Sequence, residues 1–164
     1  MINYTEKGSS LHAAIQQAGY ALRQENGKWR SSDDKAVQAI IDGYTLDQAK
    51  AAKKTEVLAL AKQLRDKAIA AVSPGEMASW PIKLSEAAAF AAGGTNTPML
   101  AAEAAIRGIT IAQIVAKVGG NSTTFAALEA QIGGNDGRHR DLIDALTTFE
   151  EVNGYDFSAG WPAL

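Results

Sequence analysis

The chain has 164 residues, 46% hydrophobic and 21% charged, room for one compact domain or two small ones with an ordinary globular composition. A net charge of −2 argues against a mainly electrostatic nucleic-acid binder, and the lack of cysteine excludes disulfides, thiolate ligands and cysteine nucleophiles. Much of the apolar content is alanine and only 7% is aromatic, so the helices are expected to pack closely around a thin core.

Ile2 to Thr5 reads as a short strand and Gly8-Ser9-Ser10 as a turn. Next comes a short helix, with Leu11, Ala14, Ile15 and Ala18 on one face and Gly19 as its stop. Tyr20 to Gln24 and Lys28 to Arg30 flank Glu25-Asn26-Gly27. Asn-Gly between strand-like runs predicts a hairpin with a type I′ turn and positive φ at both residues. Ser31-Ser32-Asp33-Asp34 starts a helix whose Val37, Ile40 and Ile41 face inward. Residues 1–44 thus read as a small α/β domain with a hairpin.

Thr45-Leu46-Asp47-Gln48 is a capping box, and no Gly or Pro interrupts the chain from there to Ser73-Pro74. Val57, Leu60, Ala61, Leu64, Ala68 and Val72 repeat at three- and four-residue spacing. This predicts a long connecting helix within 45–72, continuous over 46–71. Residues 73–164 read as a helical domain with an aromatic C-terminal tail. Ser73-Pro74-Gly75-Glu76 opens a helix that Trp80-Pro81 breaks or kinks, and Gly93-Gly94 ends its second piece. Thr97-Pro98 starts the next helix and Gly108 ends it; Thr110 to Gln113 is another capping box. Gly119-Gly120 and Gly133-Gly134 are read as further stops, Asn121-Ser122 and Asn135-Asp136 as further starts, and Thr148 to Glu151 as a last box. The fold class is therefore mainly α: a small α/β N-terminal part, a long connecting helix, and a C-terminal bundle of short helices.

No catalytic constellation is visible. His12 and His139 cannot assemble a zinc site without cysteine, and His139, between Arg138 and Arg140, reads as a surface residue at a helix start. His12 reads as partly packed under the hairpin. Asp33, Asp34, Glu150 and Glu151 have roles at helix starts, while Glu86, Glu103 and Glu129 read as solvated, so nothing marks the carboxyl pair of a glycosidase. None of the Gly-Gly pairs leads into Gly-Lys-Ser/Thr or fits Gly-x-Gly-x-x-Gly. No cofactor, metal or nucleic acid is expected. Met1 to Lys7 lacks the apolar core of a signal peptide, and no stretch reaches the roughly 18 apolar residues of a membrane span. Tyr155, Phe157 and Trp161 lie outside any periodic helix, so they pack back on the helices or onto a partner.

The run Tyr4-Thr5-x-Lys7-Gly8, Leu11-His12-x-Ala14-Ile15-x-x-Ala18-Gly19, then Asn26-Gly27-x-Trp29-x-Ser31-Ser32-Asp33-Asp34-x-Ala36-Val37-Gln38-Ala39-Ile40-Ile41-Asp42, resembles the start of small tail-associated proteins of tailed bacteriophages and prophages. A later run, Met77-x-Ser79-Trp80-x-x-Lys83-x-x-Glu86-Ala87, then Thr97-Pro98-x-Leu100 and Arg107-Gly108, is similar to the helical region of such proteins. The resemblance implies a structural component of the virion tail, assembled in the host cytoplasm and bound to a baseplate or tail-fibre protein. It carries over no catalytic residue. The alternative is a tail-fibre assembly chaperone that binds the fibre and leaves; a lytic enzyme is the third class. Homo-oligomer formation stays open.

Overall fold

Asn26 and Gly27 adopt φ of 50° and 73° and join β1 (Arg23–Glu25) to β2 (Lys28–Arg30), the type I′ geometry that Asn-Gly predicts. The strands pair antiparallel, with Arg23 opposite Arg30 and Gln24 opposite Trp29. This computed structural model describes Ile2 and residues 7–163. Ile2 is buried, and the rest of the strand expected over Ile2 to Thr5 lies outside the described residues.

The hairpin follows α1 (Ser9–Gln17) and precedes α2 (Asp34–Gly43). Asp33 caps α2 by accepting from the N–H groups of Lys35 and Ala36. At the other end of α2, Lys7 donates to the carbonyls of Ile41 and Tyr44 at 2.7 and 2.8 Å, placing a cation where the helix dipole is negative. α3 (Leu46–Ala68) starts at the Thr45 box, in which Gln48 accepts from the Thr45 N–H and Thr45 Oγ1 from the Gln48 N–H. It ends three residues before the expected Ala71, because Ala70 and Val72 close tighter turns onto Lys67 and Ile69. Val57, Ala61 and Leu64 are buried on its stripe, while Leu60 is only half-buried.

Of the break or kink expected at Trp80-Pro81, the break does not occur, since α4 (Pro74–Ala91) runs through Pro81. Ser73 caps it and packing against α5 (Pro98–Arg107) carries it past the missing N–H. Gly93 ends it as expected, with φ of 87°. A larger correction concerns α6 (Ile111–Ala145), which passes through Gly119-Gly120 and Gly133-Gly134 without stopping. None of those four glycines has positive φ, so none makes the left-handed stop that Gly93 makes. The expected starts at Asn121-Ser122 and Asn135-Asp136 are helix interior. Thr123 and Thr124 donate their hydroxyls back to the carbonyls of Gly119 and Gly120. α7 (Phe149–Gly154) opens on the complete Thr148–Glu151 capping box. The chain is thus mainly helical, with a small two-stranded antiparallel hairpin near its N-terminus.

The chain forms two compact units whose limits differ from the expected 1–44, 45–72 and 73–164. One combines the chain up to Lys62 with Gly134–Trp161; the other is Gln63–Gly133 with the last residues from Pro162. In the first, Leu11, Ile15, Val37, Ile41, Tyr44 and Val152 share a core, with Leu146 and Phe149 packed against it. Tyr44 stacks on Phe149, and Lys54 pairs with Asp144 at 2.7 Å. In the second, Ala87, Leu100, Ala104 and Ile114 form a smaller core, the alanines letting α4 and α5 approach closely.

Candidate functional site

The tail aromatics are gathered by one histidine. Contrary to the surface position at a helix start expected from its arginine neighbours, His139 lies within the C-terminal part of α6 and is 3% exposed. Its Nε2 is 3.0 Å from the Ala159 carbonyl, which can only accept, so Nε2 carries the proton. Nδ1 then accepts from the Tyr155 hydroxyl at 2.7 Å. The ring stacks on Trp161 at 5.6 Å and meets Tyr155 edge-on. Trp161 donates its indole N–H to the Phe157 carbonyl, Phe157 lies under the Lys53 ammonium, and Asn135 donates to the Gly160 carbonyl. Burial pushes the Tyr155 phenol up. Tyr155, Phe157 and Trp161 are therefore brought together, all half-buried and engaged by their own unit. His12 stands apart in α1, half-buried, accepting from the Gln16 amide.

The second unit carries a cleft of about 320 Å³ between α4, α5 and α6. Its apolar wall is Trp80, Leu84, Ile114 and Phe125, with the rings of Trp80 and Phe125 edge-to-face at 5.5 Å. Its polar wall is an ion network. Lys83, only 13% exposed at its side chain, pairs with Glu76 and Glu103 at 3.0 Å each, and Arg107 pairs with Glu103 at 2.8 Å. Burial alone would push the Lys83 ammonium down; the two carboxylates outweigh it and hold the group above its ordinary range. Lys83 and then Arg107 hold the Glu103 carboxyl below its ordinary range. A lysine that acts as base or nucleophile needs the opposite shift, so Lys83 is built to carry charge.

Three carboxylates expected to be solvated have partners. Besides Glu103, Glu86 on α4 accepts from the N–H groups of Met99 and Leu100 and so caps α5, where Thr97 makes no side-chain cap. Glu129 takes Arg65 in a two-pronged pair, at 2.9 and 3.0 Å to Nε. The expected inward roles of Val37 and Ile41 hold, whereas the cleft is missed by sequence reasoning: its residues come almost entirely from three helices, and the local spacing within each helix does not show that the three faces meet. Among the described residues no group of three metal-ligating side chains assembles, and no single helix is long and apolar enough to cross a membrane. No family model matches the chain, and no curated protein and no solved structure shows significant similarity to it.

Proposed function

We propose that this protein is a structural component of a bacteriophage tail that binds a baseplate or tail-fibre protein. The observation that supports this reading is where the residues of the tail-protein resemblance fall. Lys7 caps α2, Leu11, Ile15, Val37 and Ile41 form a core, Asn26-Gly27 makes the turn, and Asp33 starts α2. The first run of the resemblance therefore corresponds to the framework of one compact unit, while the later run falls in the other unit and includes Trp80, Lys83 and Arg107 of the cleft. Ile82, Leu84, Ile106 and Phe125 are large, apolar and exposed in the other unit, which suits protein contact. The same exposed side chains favour the second reading, an assembly chaperone that holds a folding fibre.

Mass spectrometry of purified virions separates the two. Stoichiometric presence is the expected result. Absence from the virion, with the protein held on the fibre in the lysate, establishes the chaperone. Clearing of a cell-wall substrate by the pure protein would overturn both.

A further inference from the structure

We propose that the α4–α5–α6 cleft is the docking site for an acidic segment of the partner tail protein, which packs one large apolar side chain against the Trp80–Phe125 ring pair and sets a carboxylate against Lys117. The inference rests on the tail reading and identifies where and by what chemistry the partner is held. Size comes first: about 320 Å³ is at the small end of ligand pockets, which run from roughly 300 to 1,000 Å³, and suits a single anchor side chain. The wall that would receive it is already apolar and open, since Leu84 and Phe125 are 40% and 39% exposed. An edge-to-face aromatic pair leaves ring faces available for a third apolar group.

Charge then selects the flanking group. Three cationic side chains line the cleft, Lys83, Arg107 and Lys117, against two acidic ones, Glu76 and Glu103. Lys83 and Arg107 are committed to those two carboxylates. Lys117 is exposed and has no ion pair among the described residues, so the cleft has a surplus positive charge at Lys117 in a chain whose net charge is −2. An incoming carboxylate is attracted there; an incoming lysine or arginine is repelled. Asn121 and Ser122 line the same cleft and offer hydrogen bonds to an extended backbone.

The test uses the full chain against the purified neighbouring baseplate and tail-fibre proteins, with binding read by biolayer interferometry. Lys117→Glu, a surface change that leaves the fold alone, should weaken binding by about tenfold and remove most of its salt dependence, while Lys117→Arg should bind as wild type does. Phe125→Ala should weaken it by about tenfold or more, with its melting curve recorded alongside. A protein in which Trp29 and Trp161 are replaced by Phe reports from Trp80 alone, and its emission should shift to the blue on binding. If wild type binds a tail protein but Lys117→Glu binds equally well and Trp80 is silent, the cleft is not the docking site and the tail reading stands. If wild type binds none of these proteins, the tail reading falls and the docking site with it.

Discussion

His139 has both ring nitrogens committed, one to Tyr155 and one to Ala159, and its ring face to Trp161. His139→Phe keeps a flat ring but leaves the Tyr155 hydroxyl and the Ala159 carbonyl without their partner. The expected loss is about 0.5–1.5 kcal/mol, the range for a lost hydrogen bond whose freed partners can reach water, measurable by urea denaturation. Amide exchange in residues 155–161 should rise with it; unchanged exchange would mean that Asn135 and the Trp161 packing hold the segment unaided. Glu103 gives a pH dependence. Its folded carboxyl lies below the ordinary 4.5, held there by Lys83 and Arg107. The linked stability is therefore complete above pH 4.5 and disappears as pH falls through the lower folded value. Glu103→Gln should be less stable than wild type at pH 7, and the gap should close towards pH 3. A gap independent of pH would assign the effect to packing.

α6 illustrates what an element can hide. Ile114, Val118, Ser122, Phe125, Leu128, Ile132, Asp136, His139 and Ile143 keep a three- and four-residue rhythm that passes both Gly-Gly pairs without changing phase. Polar residues occupy the stripe at Ser122, Asp136 and His139, which masks it in a reading that looks for apolar residues only. Glycine permits a stop and does not impose one: Gly93-Gly94 leads into Thr95-Asn96-Thr97-Pro98, while Gly120 leads into residues that continue the helix. The hairpin, the Thr45 and Thr148 boxes and the α2 start were legible because each is settled within four residues. The cleft and the His139 cluster were not, since each joins residues more than a dozen positions apart. The glycines remain costly in a helix. A methyl group at Gly119, Gly120, Gly134 or Gly137 would meet nothing within 4 Å. Gly120→Ala and Gly134→Ala should each stabilise the protein by roughly 0.5–1 kcal/mol, and the two should add. Thermal melts check this; a fall in Tm for either would reveal a close neighbour at that face.

At the scale of the whole molecule, the two units differ in how far apart in sequence their parts lie. Residues 63–133 supply almost all of one unit. The other depends on contacts such as Lys7 over Phe149, Tyr44 on Phe149 and Lys50 to the Asp144 carbonyl, which close loops of about ninety residues or more. Closing long loops is slow relative to local packing. Pulse-labelled hydrogen exchange during refolding should therefore show amides of α4 and α5 protected before those of α1 and α7. Simultaneous protection would make the molecule a single cooperative folding unit.

The same split has a consequence during synthesis. A nascent chain that has released residue 133 from the ribosome holds everything needed for the Gln63–Gly133 unit except the residues from Pro162. The other unit at that moment has Leu11, Ile15, Val37 and Ile41 in place but lacks Val152, and the Tyr44 ring lacks Phe149. For the time taken to make residues 134–161, at about 5–20 residues per second, that half-core is open to water and to any chaperone at the tunnel exit. A premature stop after residue 133 would release a protein with one unit complete but for the residues from Pro162 and the other left as an open half-core, exposed to proteolysis.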